Sequence, residues 1–241
     1  MNSVVCTDVN FSYGSNHAVR NLNLTIPKGA IFALIGPNGS GKSTTLNMIT
    51  TLLKPQSGTL HVHDLNVVTE ADEVRRRLGL APEEPALFSG LTAAEFVHLS
   101  AVLHGMPEKD AHTQTRELLT HFELIDKADH QLGSYSKGMK RKALIASALV
   151  HDPDLLILDE PLDGLDIFAQ KLLRNLLRQR AERGKTLIYS THILETVESF
   201  CTHVGLLENG NMLDHGPIKE VMTRLNITNL GDAFSAANRK V

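Results

Sequence analysis

Apolar residues in the first part of the chain come in short bursts. Val4 to Val9, Leu22 to Ile26 and Ala30 to Ile35 are β-favouring runs punctuated by Gly14, Pro27 and Gly29, and they predict three strands. After Gly41 the spacing becomes helical through Leu53, until Lys54-Pro55-Gln56-Ser57-Gly58 breaks it. Thr59 to Val62 predicts a strand, and Leu78 to Ala81 a further short one stopped by Pro82. From Thr92 to about Val150 nearly everything reads as helix, with apolar spacing in FVHLSAVL and TRELLTHFELI. Leu155 to Leu158 is a continuous apolar run beside polar turns, as expected of a buried parallel strand. Helix signals cover Ile167 to Arg183, then a strand at Thr186 to Ser190 and a helix at Ile193 to Phe200. Val204 to Glu208 and Asn211 to Leu213 flank Asn209-Gly210, a dipeptide suited to a tight primed turn, so a hairpin is expected. The piece after Thr228 is weakly patterned.

Strands alternating with helices predict an α/β protein whose sheet is mostly parallel, with helices on both faces. The long helical stretch makes a lobe inserted into that core. The expected organisation is a single domain over 1–241, with an α/β core from 1–84 and 151–228, a helical subdomain at 85–150 and a tail at 229–241.

Composition narrows the classes. Hydrophobic residues make up 42% and charged residues 21%, ordinary for a globular chain and contrary to disorder. A formal charge of −3 gives no general basic field, so no nucleic-acid partner is expected. Cys6 and Cys201, the only two thiols, lie far apart, which argues against a disulfide framework and fits a reducing compartment. The start, MNSVVCTDVNFSYG, lacks the positive flank and apolar stretch of a secretory signal. The apolar runs are also shorter than the ~20 residues that cross a bilayer. A soluble, intracellular chain is expected, reaching any membrane through a partner.

Gly36-Pro37-Asn38-Gly39-Ser40-Gly41-Lys42-Ser43 matches the P-loop pattern G-x-x-x-x-G-K-[ST], after the apolar run Ile31 to Ile35 and before a helix opened by Ser43-Thr44-Thr45-Leu46. Glycines let backbone N–H groups converge on phosphate oxygens, and the helix N-terminus adds partial positive charge. Gly36, Asn38, Gly39, Ser40, Gly41, Lys42, Ser43 and Thr44 are the expected nucleotide contacts. Among them Lys42 reaches the β- and γ-phosphates, and the Ser43 hydroxyl ligates magnesium.

Leu155-Leu156-Ile157-Leu158-Asp159-Glu160 is an apolar strand ending in two acids. Downstream of a P-loop, Asp159 suits the magnesium-holding Walker-B role. Alternation along the strand points Glu160 the other way, where it can orient or deprotonate the attacking water. His192 closes the strand Thr186 to Tyr189, where an imidazole can donate to the γ-phosphate. His61 and His63 share one strand face, but no third metal ligand of suitable spacing accompanies them.

These parts resemble the nucleotide-binding domain of ABC ATPases, and Tyr135-Ser136-Lys137-Gly138-Met139 stands where that family carries its Leu-Ser-Gly-Gly-Gln signature. The resemblance runs from Val4 to roughly Gly216. It implies a RecA-like P-loop NTPase core of parallel strands with an antiparallel β subdomain and an inserted α-helical lobe. It also implies that Ser136 and the Gly138 N–H act in trans on ATP held by a second ATPase subunit, either another copy or a paralogue. Tyr13 looks like the aromatic that stacks on adenine, Pro82 to Phe88 like the Q-loop with Glu83 as a magnesium ligand, and Pro161 to Asp166 like the D-loop.

Three departures stand out: Glu83 replaces the usual Gln, Lys137 and Met139 alter the signature, and Leu162-Asp163 alters the D-loop. With the tail Asn229-Leu230-Gly231-Asp232-Ala233-Phe234, the Glu83 and Tyr135-Ser136-Lys137-Gly138-Met139 variants are similar to single-domain subunits of bacterial exporters for drugs, antibiotics and ions. That likeness implies an ATP- and Mg2+-dependent ATPase, peripheral on the inner face of the cell membrane, that drives separate transmembrane permease subunits. The segment from Glu83 through the helical lobe would carry the contact. Soluble ABC ATPases acting on DNA or ribosomes usually show coiled coils, tandem domains or basic tails, and this chain has none. Intact Lys42, Asp159, Glu160 and His192 weigh against a regulator that hardly hydrolyses ATP. The one dense basic run, Lys140-Arg141-Lys142, reads as a solvated helix face or a contact for the lobe.

Overall fold

The computed structural model describes residues 1–83, 89–191 and 193–234. In chain order the elements are β1 (Asn2–Tyr13), β2 (Asn16–Pro27), β3 (Ile31–Ile35), α1 (Lys42–Ile49), β4 (Ser57–Val62), β5 (Leu65–Asn66) and α2 (Ala71–Arg76). Then come β6 (Leu78–Ala81), α3 (Ala93–Leu103), α4 (Glu108–His121), α5 (Lys137–Leu149), β7 (Leu155–Asp159) and α6 (Ile167–Glu182). The chain closes with β8 (Thr186–Ser190), α7 (Leu194–Phe200), β9 (His203–Glu208), β10 (Asn211–Pro217) and α8 (Ile218–Leu225). They divide into two compact units, Met1–Arg75 with Arg180–Val241, and Arg76–Gln179.

In the first unit an antiparallel sheet runs β2-β1-β4-β5. Val4 and Cys6 face Ile26 and Leu24 on one side and Val62 and Leu60 on the other, and all six are buried. β1 and β2 outrun their apolar bursts because the register shifts between Cys6 and Val9. At that irregularity Asp8 and Asn21 take positive φ, and polar side chains hold the backbone: Asp8 N–H donates to Asn23 Oδ1 and Asn21 N–H to Asn10 Oδ1.

β8, β3 and β9 of the same unit pair in parallel, with β10 antiparallel on the outer side of β9. All five residues of β3 are buried, as a strand covered on both faces requires. The β9–β10 hairpin is confirmed: Asn209 and Gly210 both have positive φ, as a type I′ turn demands. The Gly210 carbonyl accepts from Arg20 N–H at 2.8 Å, which ties the hairpin to the antiparallel sheet.

Two local expectations are corrected. α1 stops at Ile49 rather than Leu53, because Thr51 turns left-handed at φ 65° and its N–H bonds back to the Met48 carbonyl. α8 lies outside the expected elements, although its signals are present. Ile218, Val221 and Leu225 recur at i, i+3 and i+7, Pro217 precedes them, and Asn226 closes the helix in the left-handed region. Those three side chains join Ile35, Val204 and Leu206 in the core. The weakly patterned tail joins them too: Leu230 and Ala233 are fully buried there, and Leu230 N–H donates to Glu198 Oε1 at 2.6 Å.

In the second unit β6 and β7 pair in parallel, Leu78 opposite Leu155 and Ala81 opposite Leu158. The expected helical stretch is three helices with irregular joints. Gly105 and Pro107 separate α3 from α4, and Glu123 ends α4 at φ 57°. Thr92 and Glu95 form a capping box at the start of α3, and Ser100 Oγ donates to the Ser147 carbonyl of α5 at 2.8 Å. No described helix is long and apolar enough to cross a membrane.

Leu230→Ala removes a fully buried side chain from the tail and is expected to cost about 2–5 kcal/mol. The urea midpoint should fall with the m-value unchanged. A midpoint within error of wild type would mean that the tail is not part of this core in solution.

Candidate functional site

The phosphate loop leaves β3 where no side chain fits. A Cβ on Gly36 would stand 2.1 Å from the Leu207 carbonyl and 2.5 Å from Ser40 Oγ. Gly41, the N-cap of α1, has φ 103°, and a Cβ there would meet the Ala18 carbonyl at 2.4 Å. The loop is held by Ser40 N–H to the Pro37 carbonyl (3.2 Å) and by Gly210 N–H to the Ser40 carbonyl (3.0 Å). Lys42 Nζ folds over it, donating to the carbonyls of Gly36 (2.8 Å) and Pro37 (3.0 Å). Ser43 is partly exposed at the helix start, Thr44 is buried beneath it, and Ser40 Oγ is buried without a hydrogen-bond partner. Such a cradle, with an ammonium across its mouth and a hydroxyl at its entrance, has the donor chemistry of a nucleotide phosphate site and a hard-cation ligand. Asn38 and Gly39 complete its exposed rim.

Also in the first unit, Tyr13 ends β1 half-exposed, edge-on to Phe11 with centroids 5.0 Å apart, so its ring is available for stacking. His63 lies beyond β4 in the left-handed region and its Nε2 is 3.3 Å from Ser3 Oγ, so it does not share a strand face with His61. Among the described residues no cluster of three or more His, Cys, Asp or Glu could hold a metal. His192 and residues 84–88 of the expected Q-loop lie outside the described residues.

The acids belong to the second unit. Asp159 is the last residue of β7, half-buried. Glu160 departs from the strand-alternation expectation: it has left the strand and sits at φ 46°, a strained conformation for a residue with a Cβ. Its direction is therefore set by that turn and not by the strand's two-residue period. The D-loop continues as turns, with Asp163 N–H to the Glu160 carbonyl (3.2 Å) and Leu165 N–H to that of Leu162 (3.1 Å). Asp166 caps α6 by accepting from Ala169 N–H at 2.9 Å, and that backbone donor is the main cause holding its carboxyl below the usual range. Glu83 is exposed where β6 gives way to the Q-loop.

The signature segment opens α5. Ser136 is its N-cap, accepting from Met139 N–H at 3.3 Å, so the bland capping role holds whatever else Ser136 does. Tyr135 is buried and its hydroxyl donates to the Lys127 carbonyl at 2.6 Å, which anchors the turn. Two departures from the family pattern meet each other: Lys137 Nζ lies 2.7 Å from Asp163 Oδ2. A further basic feature corrects an expectation. The run Lys140-Arg141-Lys142 is not a solvated face, because Arg141 is only 6% exposed and bonds the Pro82 and Asp159 carbonyls. Nothing in the spacing of charges marked it: Lys137 on the same helix is exposed, and only the packing of α5 selects Arg141 for burial.

A glycine-lined phosphate loop running from a buried parallel strand into a helix defines a P-loop nucleotide-binding protein. The sequence profile of the ABC transporter family matches residues 19–163, more than half the chain. The linearmycin resistance ATP-binding protein LnrL of Bacillus subtilis is 32% identical over 238 residues, covering 95% of this chain and 76% of that one. The bacitracin transport ATP-binding protein BcrA of Bacillus licheniformis is 36% identical over 219 residues, covering 90% and 71%. Among solved structures, an ATP-binding subunit of an ABC transporter superimposes with a TM-score of 0.92 at 29% identity, covering 98% of this chain and 99% of that one. A dimeric post-hydrolysis cassette, MJ0796 bound to ADP and Pi, gives 0.81 at 29% identity, covering 89% and 98%. The chain belongs to the ABC transporter family, as an ATP-binding subunit with the fold of its ATPase cassettes.

Gly36→Ala should cost about 1–3 kcal/mol of loop geometry, since the new methyl meets backbone. Taken up entirely in binding, that corresponds to roughly a 5- to 150-fold loss of affinity for a fluorescent ATP analogue. Unchanged affinity would show that the loop does not bind phosphate.

Asp163 is held below its ordinary value chiefly by the hydrogen bond from Lys137. Whatever stability this gives is present above the unfolded value of about 3.9 and is lost as pH falls through the lower folded one. Lys137→Gln should move the Asp163 carboxyl upward in a 13C NMR titration, and an unmoved titration would mean that the pair does not form in solution.

Proposed function

We propose that this chain is the ATP-hydrolysing subunit of an exporter, working as a pair on the cytoplasmic face of the membrane and driving separate transmembrane subunits. The observation that supports the ATPase part is the Gly36–Ser43 loop, whose turn passes so close to the Leu207 and Ala18 carbonyls that Gly36 and Gly41 leave no room for a side chain. Lys42 neutralises the β- and γ-phosphates, and backbone N–H groups from Gly39 to Thr44 hold their oxygens. Ser43, Asp159 and Glu83 are the oxygen donors for magnesium, which when bound offsets charge on the transferring phosphoryl group. Glu160 accepts the proton of the attacking water, and His192 donates to the γ-phosphate oxygen, keeping water and glutamate in register. Tyr13 stacks on the adenine.

Ser136 and the Gly138 N–H complete the partner's site. Three observations support a paired subunit: MJ0796 is dimeric in related structures, the D-loop and signature lie together, and Ile167 and Phe168 beside them are more than four-fifths exposed. Export is favoured by the relatives' roles in linearmycin resistance and Nod factor export. On α3, Leu99, Val102 and Leu103 are exposed apolar residues suited to helices of a membrane partner.

Glu160→Gln should retain ATP binding, accumulate a dimer on size exclusion and lose turnover by about 10²–10⁴-fold, the usual contribution of a general base. Near-wild-type phosphate release would remove Glu160 from that role. Ser136→Arg should keep monomer binding of ATP while abolishing the dimer. Affinity purification from gently solubilised membranes should bring down a stoichiometric multi-span protein. Recovery with ribosomal or DNA-repair proteins instead would overturn the transport reading.

A further inference from the structure

Arg141 lies one turn into α5 with its guanidinium inside the second unit. One terminal nitrogen donates to the Pro82 carbonyl and the other to the Asp159 carbonyl. These are no arbitrary acceptors. The Pro82 carbonyl belongs to the peptide that leads into Glu83, and the Asp159 carbonyl to the peptide that leads into Glu160. A single planar group thus grips the backbone at Asp159 and directly ahead of the two other acids proposed for metal and water. Glu83, Asp159, Glu160 and Asp163 all lie close enough to act electrostatically on it, which is what makes a buried cation tenable.

The helix carrying this arginine is fixed to the D-loop by the turn just ahead of it. Lys137 pairs with Asp163, and a Cβ on Gly138 would stand 2.7 Å from the Gly164 carbonyl, so the two backbones are in contact. Lys140 N–H bonds the Ser136 carbonyl at 2.9 Å, placing the signature serine and Arg141 on one continuous hydrogen-bonded turn. The first turns of α5, the D-loop, the end of β7 and the start of the Q-loop therefore share one polar junction.

We propose that Arg141 is a positioning residue for the ATPase reaction: its guanidinium sets the spacing between the Pro82–Glu83 and Asp159–Glu160 peptides and makes that spacing follow the signature end of α5. This rests on the ATPase reading above and goes beyond it, since no part of the P-loop, Walker-B or signature patterns assigns the residue a role. The fork geometry is essential. Two carbonyls, one at each terminal nitrogen, match the two arms of a guanidinium, whereas a lysine ammonium at the same site keeps the charge but is a single point donor on a flexible stem. The strained φ of Glu160 gives the arginine something to hold, because a backbone outside its favoured region persists only when neighbours over-determine it.

The test is Arg141→Lys in the full chain, read out in several ways. Circular dichroism and the urea midpoint report folding. Binding of mant-ATP in EDTA reports the phosphate loop alone and should stay within about twofold of wild type. Loss of the free Mn2+ EPR signal reports metal affinity of the ATP-loaded protein, which should weaken by about 10-fold or more, the usual effect of altering a group that orients metal ligands. Steady-state turnover should fall by a similar factor with KM for ATP nearly unchanged, the mark of a group that acts on the transition state and not on nucleotide binding. If Arg141→Lys does not fold, Arg141→Gln, which retains planar N–H donors without charge, carries the same readouts. A folded variant with wild-type Mn2+ affinity and turnover overturns the proposal. So does one whose metal-free mant-ATP affinity falls as far as its turnover, because the arginine would then be structural only. Wild-type protein that binds no mant-ATP removes the ATPase reading itself and this inference with it. Wild-type protein that binds and turns over ATP assigns any loss in the variant to Arg141 alone.

Discussion

The phosphate loop depends on a place where a side chain cannot go. β3 is buried along its whole length between two parallel neighbours, and at its end the chain must turn within contact distance of the Leu207 carbonyl on β9. Only glycine passes there. The loop folds back on itself there, Ser40 N–H bonding the Pro37 carbonyl and Lys42 folding across carbonyls of Gly36 and Pro37. The hairpin of β9 and β10 locks the arrangement from outside through Gly210 N–H to the Ser40 carbonyl. Packing in the first unit serves this constraint: α7, α8 and the tail bury apolar side chains against β3 and β9, which keeps the loop's base rigid. A site that must bind phosphate without reorganising needs such a base.

The second unit solves a different problem, that of placing several carboxylates close together. Unopposed, the half-buried Asp159 and Glu160 and the exposed Glu83 and Asp163 would repel one another. Arg141 opposes them from inside and Lys137 from outside. The two cations are not equivalent. The Lys137–Asp163 pair is exposed, screened by solvent and worth little in stability, so it can be exchanged for another partner at low cost. Arg141 is buried and bonded to backbone, and removing it would take a charged donor away from two carbonyls. A labile contact and a fixed one on the same helix end are what a segment needs if it is to meet another subunit and report the encounter inward.

That contrast gives physical content to the departures from the usual signature. Lysine in place of glycine and aspartate in the D-loop are complementary substitutions, joined at 2.7 Å. Glutamate at the Q-loop position adds a negative charge near the same junction, where Arg141 already supplies compensation. The three changes are electrostatically consistent with one another, as expected of a working variant rather than a decaying one.

The sequence by itself determined the element types and most of the candidate chemistry. Continuous apolar runs such as Ile31–Ile35 and Leu155–Leu158, bounded by turn residues, read as buried strands, and Asn209-Gly210 suits a turn with two positive φ angles. The glycine and lysine spacing of the phosphate loop carries its own mechanism, because each residue type there answers a local steric or charge requirement. α8 was equally legible in the spacing of Ile218, Val221 and Leu225 but is only eight residues long, too short to dominate any window. What only the tertiary structure decided is where polar groups find partners across long separations in the chain. Glu160 leaves the strand's period because the turn after it is hydrogen-bonded back to its carbonyl, and Leu230 is buried against the core of α7, α8 and β9 with its N–H satisfied by Glu198. Arg141 changes from a member of a basic run into a buried clamp on backbone because two carbonyls, from Pro82 and Asp159, arrive at its two terminal nitrogens. Periodicity records which face of an element is apolar; it holds no record of which distant backbone will reach a buried charge.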